Sequence, residues 1–332
     1  MSFQTQQVQM LNRSLQTKAD ASADRNAIKV LIPFDGSENS GVALSELRRA
    51  GLPEHFEVFL GVTDVWLPSS PYEITRAVSA RRLSALTAGM SSFVPALSDY
   101  EEHRVLLRDA EERVRSTFPT ATISSEALQS EAAVSNEVIR KAKQWGADLI
   151  VVGSKTSPSP HITDYAGPAL KISREAHCSV RIARICAQHE DSPTRLIIAL
   201  ETPESSEHLV ERVAERHWPS ETEVHLVLLR KPGPHDQTQD LKENAMLEQL
   251  ARPLREIGLR VFVTTLTGQP KEILLSKARE LAVDCVFIDA AGTNAIEGSL
   301  GAVAQALVLG AHCSVEVVRS GSLNPTDFKP AA

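Results

Sequence analysis

Residues 176–180 read Ala-His-Cys-Ser-Val, and residues 311–315 read the same five again. Each copy continues into an apolar segment closed by arginine, Val180 to Arg184 and Val315 to Arg319. Each also follows, at a similar distance, an apolar run opened by aspartate: Asp148-Leu149-Ile150-Val151-Val152 and Asp284-Cys285-Val286-Phe287-Ile288. A chain of 332 residues that repeats itself in this way is one folding unit written twice. Each copy, at roughly 150 residues, is large enough to bury its own core. Each half is therefore a control for the other, because a group present in one and lost in the other separates chemistry from architecture.

In the first half, apolar runs at 28–34, 57–62, 120–127, 148–152 and 178–184 read as strands. Helical patterns follow Asp35-Gly36-Ser37 and occupy 99–118, 132–144 and 167–175, with Gly146 as a C-terminal stop. The second half repeats the order. Its strands fall at 195–200, 223–229, 259–266, 284–288 and 313–319, and its helices at 203–216, 236–257, 270–281 and 301–309. Wholly apolar strands alternating with helices define a parallel sheet covered on both faces. The fold class is α/β: two tandem, doubly wound, five-stranded parallel-sheet (Rossmann-like) domains related by a pseudo-twofold axis. The expected divisions are a flexible lead over 1–25, a domain over 26–186, a linker over 187–193, a second domain over 194–320 and a flexible tail over 321–332.

The net charge of −7 makes nucleic acid a poor partner. No stretch approaches the apolar length that spans a membrane, and residues 1–25 lack the apolar core of a secretory signal. A cytoplasmic location is expected. The cysteines, Cys178, Cys186, Cys285 and Cys313, form no C-x-x-C, and free buried thiols in a reducing compartment fit them best. A zinc set built on His177-Cys178 and His312-Cys313 is disfavoured, because neighbours on a strand point to opposite faces. No metal is expected.

The strand-end Asp35-Gly36-Ser37 with Ser40, the run Gly-Ala-Asp-Leu-Ile-Val-Val-Gly-Ser at 146–154 and the paired Ala-x-Cys-x-Val openings of the last strands resemble the universal stress protein family in its tandem form. Thr267-Gly268-Gln269-Pro270 stands where that family usually carries Gly-Asp-Pro. The resemblance covers residues ~27–186 and ~193–320. It implies ATP at the carboxyl ends of the strands in those members that bind it, held by a loop Gly-x2-Gly-x9-Gly-[Ser/Thr]. Carried onto this chain, it marks Asp35, Val62, Gly153, Ser154, Lys155 and Gly167 as the nucleotide-binding set of the first half. Thr156 and Ala166 replace two glycines of the loop, and Pro168 brings no N–H. In the second half the equivalents are Glu201, Asp289, Gly292 and Gly301, with Ala302 in place of the hydroxyl residue and Glu297 in the loop. No cofactor is thus certain: ATP has a place in the first half only, bound weakly if at all, and is essentially lost from the second. Asp35 has two readings of equal standing, a ligand contact or a turn acid at a helix N-terminus.

No nucleophile–base pair stands at a recognisable spacing, so the leading expectation is a non-enzymatic stress-response or regulatory protein. One alternative is an ATP-binding switch or slow ATPase using Asp35, Gly153, Ser154 and Lys155. Another is a binder of a small or apolar ligand through the insertion at 67–95, which has no counterpart in the second half and carries Arg76, Arg81, Arg82 and Phe93. A thiol or redox role lacks a resolving cysteine. Single-domain members of the family commonly dimerise through their last strands. The resemblance therefore implies that strands 178–184 and 313–319 pair antiparallel within the chain. Arg181 and Glu316, equivalent positions of opposite charge, are expected to meet there. A further homodimer and unidentified protein partners remain open.

Overall fold

The computed structural model describes residues 27–63, 95–128, 133–154, 167–185, 193–201, 207–233, 237–292 and 300–319. The lead 1–25, the tail 321–332, nearly all of the 67–95 insertion, most of the 187–193 linker, Lys155, Thr156, Ala166, Cys186 and Glu297 lie outside the described residues. The first half runs β1 (Lys29–Phe34), α1 (Glu38–Glu46), β2 (Glu57–Thr63), α2 (Pro95–Thr117), β3 (Thr122–Leu128), α3 (Val134–Trp145), β4 (Leu149–Gly153), α4 (Pro168–Glu175) and β5 (Ser179–Ala183). The second runs β6 (Arg195–Leu200), α5 (Glu207–Ala214), β7 (Glu223–Arg230), α6 (Gln237–Glu256), β8 (Arg260–Thr267), α7 (Pro270–Glu280), β9 (Cys285–Asp289), α8 (Ala302–Gly310) and β10 (Ser314–Val318).

Local chemistry explains the boundaries. Ser37 caps α1 by accepting the Ser40 amide. Gly146 ends α3 in the left-handed conformation at φ 72°, which costs a residue without Cβ little. Pro168 and Pro270 open α4 and α7, where a missing N–H is no loss. The helix expected from 99 begins earlier, at Pro95, and the one expected from 203 is described only from Glu207. The central strands β4, β5 and β10 are buried at every residue, as two covered faces require.

All the strands join one sheet in the order β3-β2-β1-β4-β5-β10-β9-β6-β7-β8. Every neighbouring pair is parallel except β5 and β10 at the centre, which are antiparallel. Each half is thus a doubly wound sheet of order 3-2-1-4-5, and the second order mirrors the first. In each half the order reverses beside the first strand, and there the crevice of such a fold opens at the carboxyl ends. Asp148 and Asp284, which open β4 and β9 in sequence, tie these strands to the first ones. Their carboxylates accept the backbone amides of Lys29 at 2.9 Å and Arg195 at 2.8 Å.

The repeated motif lies at the central seam and works reciprocally. The amide of Arg184 donates to Ser314 Oγ at 3.1 Å, and the amide of Arg319 to Ser179 Oγ at 3.3 Å. Arg184, from the first half, donates to the carbonyls of Val308 and Cys313, at the end of α8 and just beyond it. Arg319, from the second half, donates to Ser173 and Arg174 carbonyls in the last turn of α4 at 2.8 and 2.9 Å. Each half therefore caps a helix end of the other with a cation, where carbonyls lack intrahelical partners and the dipole favours positive charge. Arg184→Ala and Arg319→Ala should each cost about 1–3 kcal/mol in urea unfolding, with Arg184, the more deeply buried of the two, costing the more.

Three half-buried histidines predict the pH dependence of stability. Burial, reinforced by nearby cations, pulls His177, His225 and His312 below their ordinary 6.5. Lys143 and Arg319 act on His177, Lys277 and Arg195 on His225, and Arg279 and Arg184 on His312. Asp148 and the Ala147 backbone work the other way at His177, as Glu223 does at His225. Below 6.5 the unfolded chain takes up protons that the folded chain resists, so stability is full above that value and falls as pH drops through it. Thermal midpoints measured from pH 8 to pH 5 should decline, and a His177→Gln, His225→Gln, His312→Gln triple variant should flatten the decline.

Candidate functional site

The crevice of the first half sits where β1 and β4 end. It is a shallow recess open to solvent, with about 10 Å³ of room, enough for about one water, lined by Asp35, Ser37, Asn39, Ser40 and Gly153. Asp35 Oδ1 accepts the Ser37 amide at 3.0 Å, the turn-acid geometry. Ser40 Oγ donates to the Ser37 carbonyl at 2.9 Å, so the opening turn of α1 is bonded within itself. Gly153 is pressed against that turn: a Cβ there would fall 1.8 Å from the Asn39 carbonyl oxygen. The Ser154 amide donates to Ala183 O at 3.0 Å, so it serves β5 rather than a phosphate. Gly167 forms the N-cap of α4, and a Cβ there would meet nothing within 4 Å among the described residues. Val62, expected among the nucleotide contacts, is fully buried in the core with Val30, Ile32 and Phe34.

The second crevice is built differently from equivalent positions. Asp289 stands where the first half has Gly153. Its Oδ1 accepts the Ala291 amide at 2.8 Å, and its Oδ2 lies 2.9 Å from His208 Nε2 on α5. A Cβ on Gly292 would meet Glu201 Oε1 at 2.9 Å and the Gly301 Cα at 3.3 Å. A Cβ on Gly301 would meet Gly292 N at 2.6 Å, and the Gly301 amide donates to Ala290 O at 2.8 Å. The two glycines of the loop thus pack backbone to backbone, with the Glu201 carboxylate beside them. An anion brought here would meet that carboxylate, and two like charges about 4 Å apart repel by about 4 kcal/mol at an effective dielectric of 20. His208 had no visible signal in sequence, since its partner arrives from another strand.

Arg181 and Glu316 are brought together at the seam, directly opposite each other on β5 and β10. Arg181 Nη1 lies 3.1 Å from Glu316 Oε2, and both side chains are fully buried. Two residues that sequence reasoning missed complete the arrangement. Glu46 of α1 pairs with Arg181 at 2.7 Å, and Arg216 pairs with both oxygens of Glu316. Arg181 also donates to the Arg49 carbonyl at 2.9 Å, and Arg216 to the Ala50 carbonyl at 2.8 Å. Burial works against the charges, but Arg216 and Arg181 hold the Glu316 carboxyl below the ordinary carboxylate value, and Arg181 stays above its own. Both guanidiniums face the Phe287 ring, at 5.9 and 5.4 Å, a favourable arrangement for cations.

Other chemistry is thin. Cys178, Cys285 and Cys313 are buried free thiols, and burial pushes Cys178 up to about 12, which removes the reactive thiolate. Among the described residues, no cluster of three His, Cys, Asp or Glu could hold a metal ion. No described helix is long and apolar enough to cross a membrane.

Two doubly wound parallel sheets joined antiparallel at their last strands define a Rossmann-like α/β pseudo-dimer. Residues 193–319 match the model of the Universal stress protein family. No curated protein matches the chain in sequence. Among solved structures, a universal stress protein from Archaeoglobus fulgidus DSM 4304 aligns over 88% of this chain and 96% of its own, with a TM-score of 0.58 and 16% identity. A functionally unknown protein from Pseudomonas aeruginosa PAO1 aligns over 90% of this chain and 94% of its own, with a TM-score of 0.52 and 13% identity. At such identities the likeness is one of fold, and it extends across both halves. The second half is a universal-stress-type domain by its sequence as well.

Proposed function

We propose that the chain is a non-enzymatic regulatory or stress-response module of the universal stress type, in which the paired fold and its surfaces do the work. Its nucleotide site is unequal: thinned in the first half and closed in the second. The observation that carries this reading is the packing of Gly292 against Gly301 beside the Glu201 carboxylate, where a phosphate loop needs open amides. The first crevice keeps Asp35 at a recess open to solvent, and any ATP bound by the protein is expected there. Titration calorimetry of the full chain with ATP should show at most one weak site, lost in Asp35→Ala and retained in Glu201→Ala. Two sites, or one that survives Asp35→Ala, would sink the reading. Phosphate release from ATP that disappears in Asp35→Ala would instead establish the slow ATPase.

A further inference from the structure

We propose that the buried charges at the seam are a pairing code that lets each half accept only its unlike partner. The four groups alternate in sign along the row Glu46, Arg181, Glu316, Arg216, and all are buried. Glu46 and Arg181 belong to the first half, Glu316 and Arg216 to the second. The contact that joins the rows across the pseudo-dyad is Arg181 to Glu316, at directly opposed positions on antiparallel strands. Two first halves placed on the same axis would set Arg181 against Arg181, and two second halves would set Glu316 against Glu316. Water is excluded there, so like charges would meet with little screening.

One further ion pair, Arg49 of the first half to Asp284 of the second at 2.8 Å, also joins unlike halves, but the repeated contacts of the seam cannot make this distinction. The serine–arginine bonds and the helix caps are the same in both directions, and a self-complementary surface suits like halves as well as unlike ones. The asymmetric charges supply the rejection that specificity requires. The partner that fits the β5 edge is therefore a domain of this fold with a buried carboxylate opposite Arg181, and within this chain that partner is the second half. The pairing also covers two strand edges that would otherwise invite association.

Two full-chain experiments test the code. Replacing the row by apolar groups of similar size (Glu46→Leu, Arg181→Met, Arg216→Met, Glu316→Leu) removes the code without stranding a charge. Light scattering should then show a concentration-dependent rise in mass over the wild type, as like halves of different 36.2 kDa chains pair. A mass that stays with the wild type at every concentration would overturn the proposal. In the second experiment, reversing only the first half (Glu46→Arg, Arg181→Glu) should cut amide-exchange protection of β5 and β10 by about tenfold or more relative to β2 and β7. Reversing the second half as well (Arg216→Glu, Glu316→Arg) should restore it. Unchanged protection after the half reversal would equally overturn the proposal.

Discussion

Glu316→Ala should lower the unfolding free energy by about 3–5 kcal/mol, the cost of removing one partner from a buried ion pair. The carboxylate lies between two guanidiniums, and its loss treats them unequally. Arg181 keeps Glu46 and the Arg49 carbonyl, whereas Arg216 keeps only the Ala50 carbonyl among its bonds at the seam. Arg216 is the group left unpaired, so adding Arg216→Met to Glu316→Ala should recover much of the loss. A double-mutant cycle in urea, read from midpoints at constant slope, checks this. The pH dependence has a definite sign. Arg216 and Arg181 outweigh burial and hold the Glu316 carboxyl below its ordinary 4.5. Its contribution is present above that value and is lost as pH falls through the lowered one. Acid loss of the wild type below pH 4.5 should therefore be steeper than that of the variant.

The strands were legible because parallel strands covered on both faces have to be apolar throughout. Leu149–Gly153 and Cys285–Asp289 read as strands from composition alone. The position of the seam came from the resemblance, whose members pair through their last strands, and the repeat then singled out Arg181 and Glu316 as equivalents that meet near the dyad. Glu46 and Arg216 escaped because each sits among charged neighbours, Glu46 in Ser-Glu-Leu-Arg-Arg and Arg216 in Ala-Glu-Arg-His. That pattern looks like a solvated helix end. Only tertiary packing turns such ends toward the dyad. Arg184 and Arg319 looked like ordinary strand-end cations, and their role in capping the opposite half depends on a helix more than 100 residues away in sequence.

Gly153 and Gly167 were assigned together from the phosphate-loop pattern, and the structure separates them. Gly153→Ala should destabilise the protein by about 3 kcal/mol, at the upper end of overpacking costs. The new methyl would meet the Asn39 backbone at 1.8 and 2.4 Å, and backbone cannot rotate away as a side-chain tip can. Gly167→Ala meets nothing within 4 Å among the described residues, at a φ of −55°, and should be nearly neutral in thermal unfolding. The second half shows why the demand is local. There Asp289 occupies the equivalent position, its carboxylate accepting the Ala291 amide and lying beside His208. Gly153 is thus first a packing residue, and a loss of ATP binding in Gly153→Ala would report a displaced α1. Gly167→Ala is the cleaner probe of the loop: binding lost at unchanged thermal midpoint would assign Gly167 to the ligand, and binding retained would restrict the first-half site to the crevice around Asp35.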